Sequence, residues 1–407
     1  MTLIECFSDS HIDNIAACLR LRPDRMIMVG SAADMGAPVK RYQKLLKQRG
    51  IATEITMCDV QHMDLDEIYG ALKKVVLAAK DCVIDLTGGD TCVTMAVGAV
   101  LAALPAEARR RIRIEKYDHN TNVVRDCVHN NQSVQTKTVS LTVEELIALH
   151  GGTLHPDSYQ PPMGSRPRDV AGVWEIVVED PKEWNRVIMH LGEFESRSDS
   201  KTQVFLPLAY LRDSISSFEE KETAVRDLLD KLHKKRVIAD HSSRNVLEYT
   251  YAGSLLRYCT LKAGNVLETK TLLEGRGVLE GGKPYFQDCQ MSVSIDWDGV
   301  VHTPQECVSD TRNEVDVVLM HGMTPLFISC KNGSVTEDEL YKLHTVAERF
   351  GGPYAKKMLI ATDLERKSPA ASRAFIQRAW DMDIFLVTDA AQLSTEEWRQ
   401  IFKQAMQ

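Results

Sequence analysis

The sequence predicts an α/β protein made of two unlike α/β parts: an amino-terminal doubly wound parallel sheet and a carboxy-terminal domain of another α/β type. Three observations predict it. Short β-rich runs alternate with amphipathic helical runs over about the first 150 residues, which is the pattern of βαβ units. From roughly residue 245 the order changes to helix, strand meander and then βαβ. A chain of 407 residues is also longer than one ordinary core encloses.

Leu3–Phe7 reads as the first strand, followed by a Ser8-Asp9-Ser10-His11 turn and a helix through Leu21. The second strand, Arg25–Ser31, carries the unbroken apolar run Met26-Ile27-Met28-Val29, as a strand covered on both faces requires. The loop Ala32-Ala33-Asp34-Met35-Gly36 opens a helix ending at Gly50, and Ala52–Met57, the helix Asp64–Ala79 and the strand Cys82–Leu86 repeat the unit. After Thr87-Gly88-Gly89-Asp90-Thr91 come an Ala- and Val-rich helix and the strand Arg113–Tyr117, and a helical segment at Ser140–Leu149 closes a first domain of residues 1–150.

Residues 151–244 read as a linker and helical middle region. Pro156–Pro167 is rich in Pro, Gly and Ser, the composition of an exposed connection. Glu219–Arg236 is a charged amphipathic helix with the stripe Val225, Leu228, Leu229 and Leu232; its cationic end (Lys231, Lys234, Lys235, Arg236) suits the helix dipole and a solvated face. Residues 245–407 form the last domain. It has a helix at Ser254–Glu274, strands near Met291–Asp296, Glu314–Met320 and Leu326–Lys331, and a helix at Thr336–Phe350 with a capping box of Thr336 and Glu339. The strand Lys357–Thr362, the helix Ala370–Asp381, the strand Ile384–Val387 and a helix from Ser394 complete it.

Hydrophobic residues at 44% and charged residues at 26% exclude extended disorder. A net charge of −8 excludes a chain that is basic all over and leaves nucleic-acid chemistry to a local cleft. The sequence has no apolar run near the ~20 residues of a membrane span and no signal-type start, so no membrane partner is expected. Ten cysteines stand singly without a C-x-x-C pair and read as reduced core thiols of a cytoplasmic protein.

The most informative stretch is Asn313-Glu314-Val315-Asp316-Val317-Val318-Leu319-Met320, the link His321-Gly322-Met323-Thr324, and Pro325-Leu326-Phe327-Ile328-Ser329-Cys330-Lys331. If Met320 pairs with Pro325, Asp316 lies opposite Ser329 and Glu314 opposite Lys331. Their four polar groups then share one face, with Val315, Val317, Leu319, Leu326, Ile328 and Cys330 on the other. Carboxylate oxygens hold Mg²⁺ or Mn²⁺, a bound water becomes a nucleophile, and a neighbouring Lys stabilises phosphoryl charge. The bland alternative is a cross-strand Glu314–Lys331 ion pair.

Asp316 followed by Ser329-Cys330-Lys331, with an upstream helical acid, resembles the PD-(D/E)xK nuclease fold. Gly264-Asn265-Val266-Leu267-Glu268 is similar to the G-x-x-L-E helix motif of its CRISPR-associated members. The resemblance implies Glu268, Asp316, Ser329 and Lys331 as the catalytic set, with Glu268, Asp316 and the Cys330 carbonyl on a Mn²⁺ or Mg²⁺ ion. Ser329 departs from the family, which has Glu or Asp there, and this puts a two-metal arrangement in doubt.

Ligands of doubly wound sheets bind beyond the carboxyl ends of the strands. Three loops qualify: Ser8–His11, Gly30–Asp34 and Thr87–Thr91. The chain has neither G-x-G-x-x-G nor a P-loop, so a dinucleotide enzyme or P-loop NTPase lacks support. A Rossmann-like domain with a T-G-G loop after its fourth strand, joined to a nuclease-like domain, resembles the CARF (CRISPR-associated Rossmann fold) effectors over essentially the whole chain. That resemblance implies a homodimer binding a cyclic oligoadenylate, commonly cyclic tetra-adenylate, with Ser8, Ser10, Ser31, Thr87, Gly88, Gly89, Asp90 and Thr91 around it. Relatives often carry Lys soon after T-G-G, whereas this chain has Asp90-Thr91-Cys92.

Two functions follow as expectations. One is a cyclic-tetra-adenylate-activated, metal-dependent endonuclease of type III CRISPR antiviral defence, cutting DNA or RNA single strands or nicking duplex DNA. The other is a non-catalytic regulator that responds to the same ligand and binds nucleic acid. His321 is expected to face solvent, Trp174 and Trp297 to pack, and His119 and Asn120 remain candidates for touching a nucleotide.

Overall fold

The computed structural model describes every residue except 62–63, 119–122, 129–132, 135–138, 157–158, 199, 201, 301, 303–311, 334, 363 and 365–368. His119 and Asn120 therefore lie outside the described residues.

The chain opens with β1 (Thr2–Cys6), α1 (Asp13–Leu21), β2 (Arg25–Gly30), α2 (Ala32–Gln48), β3 (Glu54–Asp59), α3 (Leu65–Ala78), β4 (Cys82–Asp85), α4 (Thr91–Ala103), α5 (Ala106–Arg109) and β5 (Ile112–Asp118). Strands β1–β5 are parallel in the order β3-β2-β1-β4-β5, as the alternation predicts. Two strands not foreseen, β6 (Val123–Asp126) and β7 (Ser133–Val134), extend the edge antiparallel. The sheet reverses its winding between β1 and β4, so the loops after these two strands flank the switch-point crevice.

The middle contains α6 (Val143–Leu149), β8 (Thr153–Leu154), α7 (Ala171–Glu179), α8 (Pro181–Glu195), β9 (Gln203–Pro207), α9 (Phe218–Lys234), β10 (Ile238–Asp240) and β11 (Val246–Tyr251). Strands β10, β11 and β9 form a small antiparallel sheet, so β11 joins the middle elements from beyond residue 244. The stripe Val225, Leu228, Leu229 and Leu232 is buried, and Lys231 and Lys235 pair with Glu179 and Glu175 on α7.

The remaining elements are α10 (Ser254–Leu261), α11 (Asn265–Arg276), β12 (Leu279–Glu280), β13 (Lys283–Pro284), β14 (Asp288–Asp296), β15 (Arg312–His321), β16 (Thr324–Lys331), α12 (Glu337–Gly351), β17 (Lys356–Ala361), α13 (Pro369–Asp381), β18 (Ile384–Val387) and α14 (Thr395–Ala405). The single helix expected over Ser254–Glu274 is two, interrupted at Lys262-Ala263-Gly264, which puts Glu268 in the first turn of α11. A six-stranded sheet runs β18-β17-β16-β15-β14-β8, so a strand from just after residue 150 completes its edge.

This second sheet divides two cores. On one face Val317, Leu319, Leu326, Ile328 and Cys330 pack with α11, α14 and the middle helices. On the other, Val318, Met320 and Phe327 pack with α12, α6 and the α1–α2 face of the amino-terminal sheet. Elements of both halves therefore share a core.

Candidate active site and ligand loops

Met320 pairs with Pro325, as expected, and His321 also pairs with Thr324, which tightens the hairpin loop to Gly322 (φ 60) and Met323. His321 is half-buried rather than free in solvent: its ring stacks on Tyr285 at 4.0 Å and Nδ1 lies 2.7 Å from the Tyr285 carbonyl. The β15–β16 ladder stops at Val317–Ile328, and the expected cross-strand pair of Glu314 with Lys331 is absent among the described residues. The cause lies on β14, where Ser292 adopts φ 49 opposite Asp316 and interrupts the pairing between Val293–Val315 and Met291–Val317. A left-handed residue shifts the pleat as a bulge does. Val315 accordingly packs with Val293 and Ile295 in the core opposite that of Val317, which corrects the single dry face read from alternation.

Asp316 sits at this break. Its Oδ2 accepts from the Cys330 amide at 2.6 Å and from Ser329 Oγ at 3.3 Å, replacing the missing ladder bonds, and lies 3.9 Å from Lys331 Nζ. Residue 331 turns its carbonyl to β17, where Thr362 donates to it, so the polar groups of Cys330 leave on the Asp316 side. Its thiol points the other way, buried against Thr271.

Burial first, then the charges of Asp316 and Glu314, pushes the Glu268 carboxyl up to about 8, while Lys331 opposes. Asp316, Glu314 and Lys331 are thus among the charges that act on Glu268, which stands in the first turn of α11. Burial also raises Asp316, against Lys331 and the Cys330 amide. A cavity of about 350 Å³ lined by Glu314, Asp316, Ser329, Lys331 and Glu339 opens on the α12 side.

Sequence reasoning missed several neighbours. The Thr336 side chain makes no cap bond; Glu339 Oε2 instead takes Lys331 Nζ at 2.9 Å, so the expected capping box is absent. Tyr258 bonds Ser292 Oγ at 2.8 Å, and its hydroxyl is pushed up to about 12 by burial and by Glu268 and Glu314. Asn332 is tied to Asn185 of α8 through bonds of 2.6 and 2.8 Å.

At the other sheet, the three loops stand side by side beyond β2, β1 and β4. A Cβ at Gly88 would lie 2.6 Å from Ser8 Oγ, and Gly89, at φ 105, would strike Cys6. The backbone itself requires glycine at 89, whereas a side chain at 88 would have to displace Ser8. The Thr87 hydroxyl donates to Asp85 Oδ1 at 2.5 Å and accepts from the Tyr117 amide at 2.9 Å, while Asp90 caps α4 through Cys92 N. Ser8 is held by Asn14, whose Nδ2 reaches Tyr42; Tyr42 bonds His11, and the His11 ring meets His150 edge-on at 5.2 Å. Ser10 Oγ accepts from the Asp13 amide at 3.4 Å, and Ser31 precedes α2.

No family model matches the chain, and no curated protein matches it in sequence. Solved structures do match. Protein VC1899 from Vibrio cholerae aligns over 100% of this chain and 97% of its own, at 16% identity and TM-score 0.73. Can2 from Sulfobacillus thermosulfidooxidans in complex with cyclic tetra-adenylate aligns over the same shares at 16% identity and TM-score 0.65. The chain has their fold. A type III CRISPR defence DNA nuclease activated by cyclic oligoadenylate aligns over 91% of this chain at 14% identity and TM-score 0.52, and this chain spans 46% of that one. The two-part α/β architecture expected, a doubly wound Rossmann-like amino-terminal sheet and a carboxy-terminal part built on a second sheet, is the one found. No helix among the described residues is long and apolar enough to cross a membrane.

Proposed function

We propose that this protein is a divalent-metal-dependent endonuclease, activated by cyclic tetra-adenylate, that hydrolyses phosphodiester bonds of DNA or RNA in type III CRISPR defence. One observation carries the reading: Asp316, the Cys330 amide and Lys331 converge where a strand pair breaks, with Glu268 in the same field. The fold shared with Can2 supports the activator.

The donor set fits a hard cation. Burial, and after it the charges of Asp316 and Glu314, raises the Glu268 carboxyl, a cost that a positive ion offsets. Among the described residues no group of three or more His, Cys, Asp or Glu side chains is placed to hold a metal ion by itself. In this reading Glu268, Asp316 and the Cys330 carbonyl would hold a Mn²⁺ or Mg²⁺ ion, with water and phosphate completing its shell. Such an ion supplies an acidified water and neutralises phosphate charge. Ser329 orients Asp316 through its hydroxyl. Burial works to lower the Lys331 amine, but Asp316 and Glu339 hold it above its ordinary value, so it meets a phosphate as ammonium.

The activator reading assigns Ser8, Ser10, Ser31, Thr87, Gly88, Gly89, Asp90 and Thr91 to the ligand. Backbone amides carry most of the contact, since Thr87 and Asp90 spend their side chains internally. Homodimerisation is supported by α4: its thirteen residues include no charge, and Thr94, Met95, Gly98, Ala99 and Ala102 are exposed. The occupant of that face is a second copy.

The test is cleavage of a labelled single strand with Mn²⁺, with and without cyclic tetra-adenylate. Activity that needs the ligand, disappears in Asp316→Ala and falls by orders of magnitude in Lys331→Ala supports the enzyme. A second reading, a ligand-responsive regulator without catalysis, is favoured by Ser329 alone; intact substrate under every metal and ligand condition would establish it over the first.

A further inference from the structure

Lys331 has two carboxylate neighbours, and the nearer is not the one its motif provides. Its Nζ lies 2.9 Å from Glu339 Oε2 and 3.9 Å from Asp316 Oδ2. Glu339 stands three residues after Thr336, where a carboxylate ordinarily closes a capping box. Here the Thr336 side chain makes no cap bond, so the helix forgoes an interaction of about 1 kcal/mol while Glu339 bonds the lysine. The other oxygen of Glu339 takes Lys342 at 3.3 Å. Leu340, Leu343, Val346, Ala347 and Phe350 seat α12 in the shared core, so the acid rides on a fixed element. A long amine on a strand end has many rotamers, and fixing it requires an anionic partner on rigid scaffold. In a chain whose residue 329 is a neutral Ser, strand β16 does not supply that second anion.

We propose that Glu339 is the positioning residue of Lys331, supplying from α12 the anionic hold on the amine that β16, with Ser329, does not provide. Glu339 acts through the lysine and does not hold the cation. The inference rests on the nuclease reading for its kinetic consequence and on geometry alone for its labelling consequence.

Two measurements test it, each on the full chain. The first is a mutant cycle of Glu339→Gln, Lys331→Met and the double variant, read as kcat and KM on a labelled single strand with Mn²⁺ and cyclic tetra-adenylate. Glu339→Gln should lower kcat about 10- to 100-fold with KM changed less than about twofold, and the double variant should equal Lys331→Met. Independent effects that multiply would overturn the proposal, as would loss of Mn²⁺ binding in Glu339→Gln by calorimetry with the metal alone. The second measurement is the acetylation rate of the Lys331 amine by an activated ester, read by peptide mass spectrometry in ligand-free protein. Removing the carboxylate should speed it several-fold relative to Lys403, and an unchanged rate would overturn the proposal even if the wild-type chain cleaves nothing. An uncut substrate with faster labelling would sink the nuclease reading and leave the Glu339–Lys331 hold standing.

Discussion

Tyr354 Oη donates to Asp13 Oδ2 at 3.2 Å, fastening the chain just beyond α12 to the first turn of α1. Asp13 in turn donates its amide to Ser10 Oγ in a candidate ligand loop, while the opposite end of α12 carries Glu339 and its bond to Lys331. Helix α12 and the turn that follows it thus link the two proposed sites, the kind of two-ended element through which a ligand can bias chemistry at a distance. Tyr354→Phe should raise the cyclic tetra-adenylate concentration for half-activation by about fivefold, equivalent to roughly 1 kcal/mol of coupling, and leave the saturated rate intact. An unchanged activation curve would remove the bond from the coupling.

Glu268 is held where burial and two like charges oppose its ionised form. Glu268→Gln should abolish cleavage yet stabilise the metal-free protein by about 1 kcal/mol, a melting rise of roughly 1 °C for a chain of this length. A lower melting temperature in scanning calorimetry would show that the carboxylate contributes to stability rather than being strained.

His150 is buried between the two halves with Nδ1 2.9 Å from the Leu146 carbonyl, and burial pushes its imidazole down to about 4, with Arg41 and Arg349 adding to the shift. The unfolded chain takes up that proton near the ordinary value of about 6.5, while the folded one resists until about 4. Stability therefore falls as pH drops through this window, because the unfolded state binds more protons there. Urea midpoints should decline from pH 6.5 to 4, and His150→Asn should flatten part of that slope.

Gly88→Ala sets a methyl 2.6 Å from Ser8 Oγ. It should displace Ser8 and weaken cyclic tetra-adenylate binding at least about tenfold, read by calorimetry. Gly89→Ala, at φ 105 and against Cys6 Cβ, should instead cost folding stability of about 2 kcal/mol or more. Equal melting temperatures for the two variants would contradict this division.

Met95 is 58% exposed on the uncharged helix α4. Met95→Glu should convert a dimer into a monomer in sedimentation velocity, because a charge on the contact face must be desolvated to associate. A monomeric wild type would dispose of the dimer.

What the sequence by itself determined is what local chemistry determines. Period and composition located the parallel strands, the stripe of α9 and the β15–β16 hairpin with Met320 facing Pro325. Register placed Asp316 across from Ser329, while Lys331 as the partner of Asp316, and Glu268 on the helix, came from the resemblance to a nuclease motif and not from spacing. What only the tertiary structure decided depends on contacts between residues far apart in the chain. Ser292, left-handed on a different strand, breaks the pleat at Asp316 and sends Val315 into the opposite core, which no alternation on β15 reveals. Glu339 reads as a helix cap until Lys331 is folded against it; the same carboxylate can serve either partner, and packing of α12 decides which. Side-chain periodicity reports which way a residue faces, and only the assembled cores fix what it meets there.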